Sequence, residues 1–174
     1  MGTKLMAGTA RVNITPPVGY HLPGSFEYRL SEAIADDLYA NVLVMDDGVE
    51  EIALVSIDTL IVPKKFPFPV YETILEKTGI EHTFMVATHT HTGVSMGKES
   101  HIDEPYTDFY DGFTDRVWND IVEAVCEARR KKQNAQMGAC SRNNKEFLHN
   151  RRFEGPDGMV YCLRANIENE KQMM

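Results

Sequence analysis

Short apolar runs, each closed by turn chemistry, divide the first ninety residues into strand-sized pieces. Residues 7–14 (AGTARVNI) alternate well enough for a strand, and Thr15-Pro16-Pro17 stops it. Between residues 18 and 33 glycine, proline, serine and aromatic residues follow no period, which predicts a long ordered loop. Residues 38–45 (LYANVLVM) and 51–57 (EIALVSI) read as two strands, and Asp46-Asp47-Gly48 between them favours a hairpin. The second is almost wholly apolar, as expected of a strand covered on both faces. A short helix is predicted over residues 69–78, ending at Gly79, and a third strand-like run at 82–87 (HTFMVA).

After a polar stretch the period lengthens. Tyr106, Phe109, Tyr110, Phe113, Val117, Ile121, Val125 and Ala128 recur every three or four residues, one apolar stripe over six turns. Asp103-Glu104-Pro105 supplies an acidic, proline-bearing helix start, and Arg129 to Lys132 suit its negative C-terminal end. Residues 136–141 and 159–166 are read as two more strands. The order of elements predicts an α/β fold, a mixed β-sheet flanked by helices with at least one crossover.

Composition narrows the function classes. With 174 residues, 43% hydrophobic and 25% charged, the chain suits one ordered domain rather than a disordered or two-domain protein. A net charge of −8 without a basic patch argues against nucleic acid as a partner. Cys126, Cys140 and Cys162 are odd in number and widely spaced, which fits neither a disulfide framework nor a thiolate zinc site. The longest apolar run, around residues 52–62, is broken by Ser56, Asp58 and Thr59 and falls short of a membrane span. The opening residues show no charged-then-apolar leader, so a cytoplasmic setting is expected.

Candidate chemistry concentrates in Ala87-Thr88-His89-Thr90-His91-Thr92-Gly93. Residues two apart on extended chain share a side, so both imidazoles can enter one space, and neutral imidazole is a common zinc ligand. The pair follows an apolar strand, where sites in open α/β sheets collect. With six histidines in the chain, the spacing alone fits two solvated loop histidines better than a metal site. Asp58, also at a strand end, can orient a histidine or a water, or simply close a turn. Arg151 and Arg152 suit an oxygen anion, or are a solvated charge pair. His21 and His149 stand alone.

Four segments in order nonetheless resemble the neutral and alkaline non-lysosomal ceramidase family. They are residues 7–17, the hairpin with Asp37-Leu38-Tyr39-Ala40 and Ala53 to Asp58, the His-Thr-His segment, and Asn150-Arg151-Arg152-Phe153 after the long helix. The resemblance implies one catalytic Zn2+ and hydrolysis of the amide joining a fatty acid to a sphingoid base. His89 maps onto a zinc ligand, His91 onto its companion beside the substrate, and Arg151, with Arg152 next to it, onto a substrate-holding arginine. Asp58 completes the set of candidate catalytic residues.

The chain departs from the family pattern in two ways. Family members often carry histidine where Ala35-Asp36 stand here, and their remaining zinc ligands, a later histidine, a glutamate and a tyrosine, lie beyond the position of Met174. The expectation is a single incomplete catalytic domain, the N-terminal portion of such an enzyme, acting on a small-molecule or lipid amide. The alternative is a non-catalytic descendant binding a ligand or partner through the old site. A homo-oligomer in which two protomers each contribute His89 and His91 is a third.

Overall fold

The hydrophobic pattern resolves into a five-stranded mixed sheet with both helices on one face. The computed structural model describes residues 4–24, 28–63, 70–93, 96, 111–144, 152–154 and 156–162. They divide into two units, Met1–Gln136 and Met137–Met174. In the first, β1 (Met6–Asn13), β2 (Tyr39–Asp46), β3 (Glu51–Ile57), β4 (His82–Ala87) and β5 (Gln133–Asn134) form a sheet in the order β4-β3-β2-β1-β5. β2 runs antiparallel to both β1 and β3, whereas β3 and β4 are parallel, from Ile52 opposite His82 to Ile57 opposite Ala87. The helix α1 (Val70–Thr78) lies on the crossover that a parallel pair requires.

The first turn and the first helix end where their residues dictate. Asp46 and Asp47 accept the amides of Gly48, Val49 and Glu50, and Gly48 takes φ 86° without a Cβ penalty. At the end of α1, Gly79 has φ 75° and donates its N–H to the Leu75 carbonyl at 2.7 Å, the glycine stop predicted there.

One face of the sheet is the core. Ala40, Val42 and Val44 of β2 and Ala53, Val55 and Ile57 of β3 point to the same side and are buried. Against them pack Val70 and Ile74 of α1 and Phe113, Val117, Trp118, Ile121, Val125 and Ala128 of α2 (Asp111–Arg130). The predicted stripe is therefore buried from Phe113 onward, while Tyr106, Phe109, Tyr110 and the Asp103-Glu104-Pro105 start lie outside the described residues. The opposite face is open. Thr9, Arg11, Asn41, Leu43, Leu54, Ser56, Phe84 and Val86 share it by register, with Phe84 and Val86 more than half exposed. The reading of β3 as covered on both sides is thus corrected: its burial alternates, because both helices lie on one face.

Helix α2 rests on β1 through a close approach at Gly8. A Cβ there would stand 2.0 Å from the Ala128 carbonyl oxygen and 2.8 Å from the Lys132 nitrogen. Just beyond, Lys132 Nζ reaches Asp46 at 2.6 Å and Glu51 at 2.5 Å, and Arg129 adds a second cation to Glu51 at 3.0 Å. Burial works against the Lys132 ammonium, but its bonds to Asp46 and Glu51 outweigh this and raise its pKa. The hydrogen bond from Lys132 and the Gly48 amide hold Asp46 below the usual carboxylate range.

One strand expectation fails. Residues 136–141 contain no strand; pairing stops at β5, whose two residues meet Ala7 and Met6 at the sheet edge. Met137 is 77% exposed, so no burial rewards extension of that segment. In the second unit β6 (Arg152–Glu154) pairs antiparallel with β7 (Val160–Cys162) around Gly158 at φ 73°. The strand expected over 159–166 is present as β7, its residues beyond Cys162 lying outside the described ones, and the three-residue β6 is too short for the pattern to predict.

Three measurements check this packing. Ile121→Ala should cost about 2–5 kcal/mol in urea unfolding, as for a large core truncation; less than about 0.5 kcal/mol would mean that the stripe faces elsewhere. Gly8→Ala should cost at least about 1–3 kcal/mol, because the added methyl meets backbone that cannot rotate away. For the ion network the sign follows from the shifts. Asp46, lowered when folded, contributes stability above its ordinary value of 3.8 and loses it as pH falls through the folded value; Lys132, raised, contributes until pH climbs past its ordinary 10.5. Wild type should therefore lose melting temperature below about pH 4, and Lys132→Met should remove part of that acid dependence.

Candidate metal centre

Parallel pairing sets the site, because it brings the carboxyl ends of β3 and β4 side by side. The ladder continues past the strands: Thr88 donates its N–H to the Ile57 carbonyl at 2.9 Å, and His89 donates to Thr59 at 3.0 Å. At His89 the chain turns sharply, with φ 64°, the one left-handed non-glycine backbone among the described residues. That conformation costs an ordinary residue about 1–2 kcal/mol, and such strain is typical of functional positions.

The turn changes the reason the histidines meet. The His-x-His spacing predicts a shared side from extended geometry, but the backbone at His89 is not extended. The rings come together instead through their hydrogen bonds. His89 Nδ1 lies 2.8 Å from the Leu60 carbonyl, and His91 Nδ1 lies 2.8 Å from the Gly24 carbonyl. The two rings sit edge to face with centroids 5.2 Å apart.

These partners determine what each ring can do. A carbonyl oxygen only accepts, so in each bond the histidine Nδ1 carries the hydrogen. In the neutral ring that leaves Nε2 with its lone pair, and an Nδ1–H held by a carbonyl is the usual support of a histidine metal ligand. Each ring thus presents a donor nitrogen suited to a metal ion or a hydrogen bond. Among the described residues no group of three or more His, Cys, Asp or Glu side chains is placed to hold a metal ion.

Asp58 follows β3 as expected, but its bonds run to β2. Its Oδ2 accepts the Tyr39 N–H at 2.9 Å, and its own N–H donates to the Tyr39 carbonyl at 2.9 Å. The Asp58 carbonyl also approaches the loop after the histidines closely, since a Cβ on Gly93 would lie 2.9 Å from it. Asp58 thus ties the end of β3 to β2 and lies against the histidine loop. Arg151 and His149 lie outside the described residues. Arg152 is in β6 of the second unit.

His21, set aside in the sequence as isolated, is a structural residue. It is 7% exposed and stacks on Tyr28 with centroids 4.7 Å apart and planes 5° from parallel. Burial, then the positive charge of Arg29, lowers its pKa. The pair belongs to an excursion bridged at His21 and Leu30 and closed by Ser31, whose hydroxyl accepts the amides of Gly19 and Tyr20. This excursion carries Gly24 to His91. The sequence signal available was Pro23-Gly24, a turn dipeptide; the Leu60 contribution is a main-chain carbonyl and leaves no trace in residue type.

No protein-family profile matches the chain, and no characterised protein matches it by sequence. Solved structures do. The neutral ceramidase from Pseudomonas aeruginosa superposes with a TM-score of 0.56 and 19% identity, covering 77% of this chain and 23% of its own. A ceramidase complexed with C2 gives 0.50 and 19%, covering 76% and 22%. The chain spans under a quarter of the length of either. At this identity the likeness is one of fold: the chain has a ceramidase-like α/β arrangement around a mixed sheet.

Proposed function

We propose that the chain supplies the His-Thr-His part of a zinc-dependent, ceramidase-like hydrolase that cleaves the N-acyl amide of a ceramide-type lipid. The observation that carries this reading is the paired support of His89 and His91, each with Nδ1 on a backbone carbonyl and Nε2 left with a lone pair. The ceramidase-like fold supports it. His89 is the proposed metal ligand and His91 its companion facing the substrate. Asp58 secures the strand end below them, and Arg151 with Arg152 is proposed to hold a substrate oxygen. Zinc in such a centre polarises the amide carbonyl and makes water a stronger nucleophile.

An ordinary catalytic zinc centre takes three protein ligands and a water, and this chain offers one proposed ligand, His89, with His91 beside it. The remaining ligands are proposed to come from polypeptide outside the described residues. With only two imidazoles the ion stays mostly hydrated, and water on aqueous zinc has a pKa of about 9. The 174-residue chain alone should therefore hydrolyse ceramide or simple N-acyl amines negligibly at neutral pH, even with zinc added. Joined to the remaining portion of a ceramidase-like domain it should be active, and His89→Ala should then abolish turnover. Zinc-dependent turnover by the isolated chain, lost in His89→Ala, would overturn the missing-ligand reading and point to two protomers sharing a centre.

A second reading is a non-catalytic protein that retains the histidine pair for binding a ligand or partner. Tight binding of an N-acyl lipid by the isolated chain, insensitive to zinc, would select it.

A further inference from the structure

The two histidines are held by different parts of the molecule. His89 is bonded to Leu60, immediately after β3, and so belongs to the body of the sheet. His91 is held by the excursion at three points. Its Nδ1 bonds to the Gly24 carbonyl, its ring lies against the Gly24 α-carbon, and its own carbonyl accepts Nη2 of Arg29 at 3.3 Å. The fit at Gly24 leaves no room for a side chain: a Cβ would stand 2.5 Å from Nδ1 and 2.9 Å from Cγ of the ring. Its φ of 93° is itself a glycine conformation.

The geometry points to Gly24 and Arg29 as positioning residues for His91: Gly24 sets the tautomer and tilt of the ring through its carbonyl and bare α-carbon, and Arg29 fixes the backbone that carries it. This rests on the proposed role of the histidine pair. Both act through His91. The carbonyl obliges Nδ1 to carry the hydrogen, so Nε2 keeps the lone pair that a ligand or a substrate hydrogen bond needs. Removing that constraint frees the ring to turn and to exchange tautomers.

Gly19 provides a matched control. It lies in the same excursion at φ 95°, yet a Cβ there meets nothing within 4 Å. Gly19→Ala and Gly24→Ala thus carry similar backbone strain, and only the second disturbs His91. Nitrogen-15 spectra of the metal-free full chain at about pH 8, above the ordinary imidazole range, report each ring's tautomer. Wild type should show Nδ1–H on both rings. Gly24→Ala should shift His91 to a mixture of tautomers and leave His89 unchanged, and Gly19→Ala should leave both unchanged.

If Gly24→Ala does not fold, Arg29→Gln serves, since Arg29 is exposed; it should perturb the His91 resonances in the same direction, again without moving those of His89. The proposal is overturned if the variant that folds leaves the His91 tautomer as in wild type, or if Gly19→Ala shifts it equally. A wild-type chain that shows the expected tautomers and variant response but binds no zinc would defeat the metal reading while upholding the positioning role.

Discussion

Two parallel strands cannot be joined by a tight turn, and from this constraint on β3 and β4 the rest of the arrangement follows. The chain must leave the end of β3, cross a face of the sheet and re-enter at the start of β4, and α1 lies on that path. The crossover takes the same face as α2, so a single core forms between two helices and one side of four strands. It also makes both strands finish at one end of the sheet. Asp58, Leu60 and His89 are neighbours there because of strand direction, and no pairwise attraction among them is needed to explain it.

The apolar periods carried most of this. β1 to β4 and α1 fall within a residue or so of the predicted bounds, and the stripe on α2 names the buried side chains correctly from Phe113 onward. What the pattern did not carry was the number of covered faces. Leu54 and Ile52 are as apolar as Val55 and Ala53, and residue type alone does not say where the helices lie. The strand expected at 136–141 failed for a related reason: weak alternation predicts extension only where something buries one side, and Met137 meets solvent.

The candidate site was legible in its side chains and hidden in its main chain. His89 and His91 announce themselves by type and spacing, yet the groups that orient them are the carbonyls of Leu60 and Gly24, which any residue could supply. Gly24 has a signature only because it lacks a side chain and sits where a methyl would strike the ring. His21 shows the converse. A conspicuous residue type proved to be packing, stacked on Tyr28 within the excursion that reaches His91.

The left-handed backbone at His89 bears on the wording of the motif itself. Residues 88 to 92 read Thr-His-Thr-His-Thr, an alternation that looks indifferent to a shift of one place. The chain is not indifferent. At φ 64° a β-branched side chain is a genuine steric outlier, whereas histidine is among the residues that enter this region more readily. Sliding the run by one position would set a threonine on the turn and strain the loop before any ligand was considered. Backbone sterics and imidazole chemistry thus both disfavour that one-place slip.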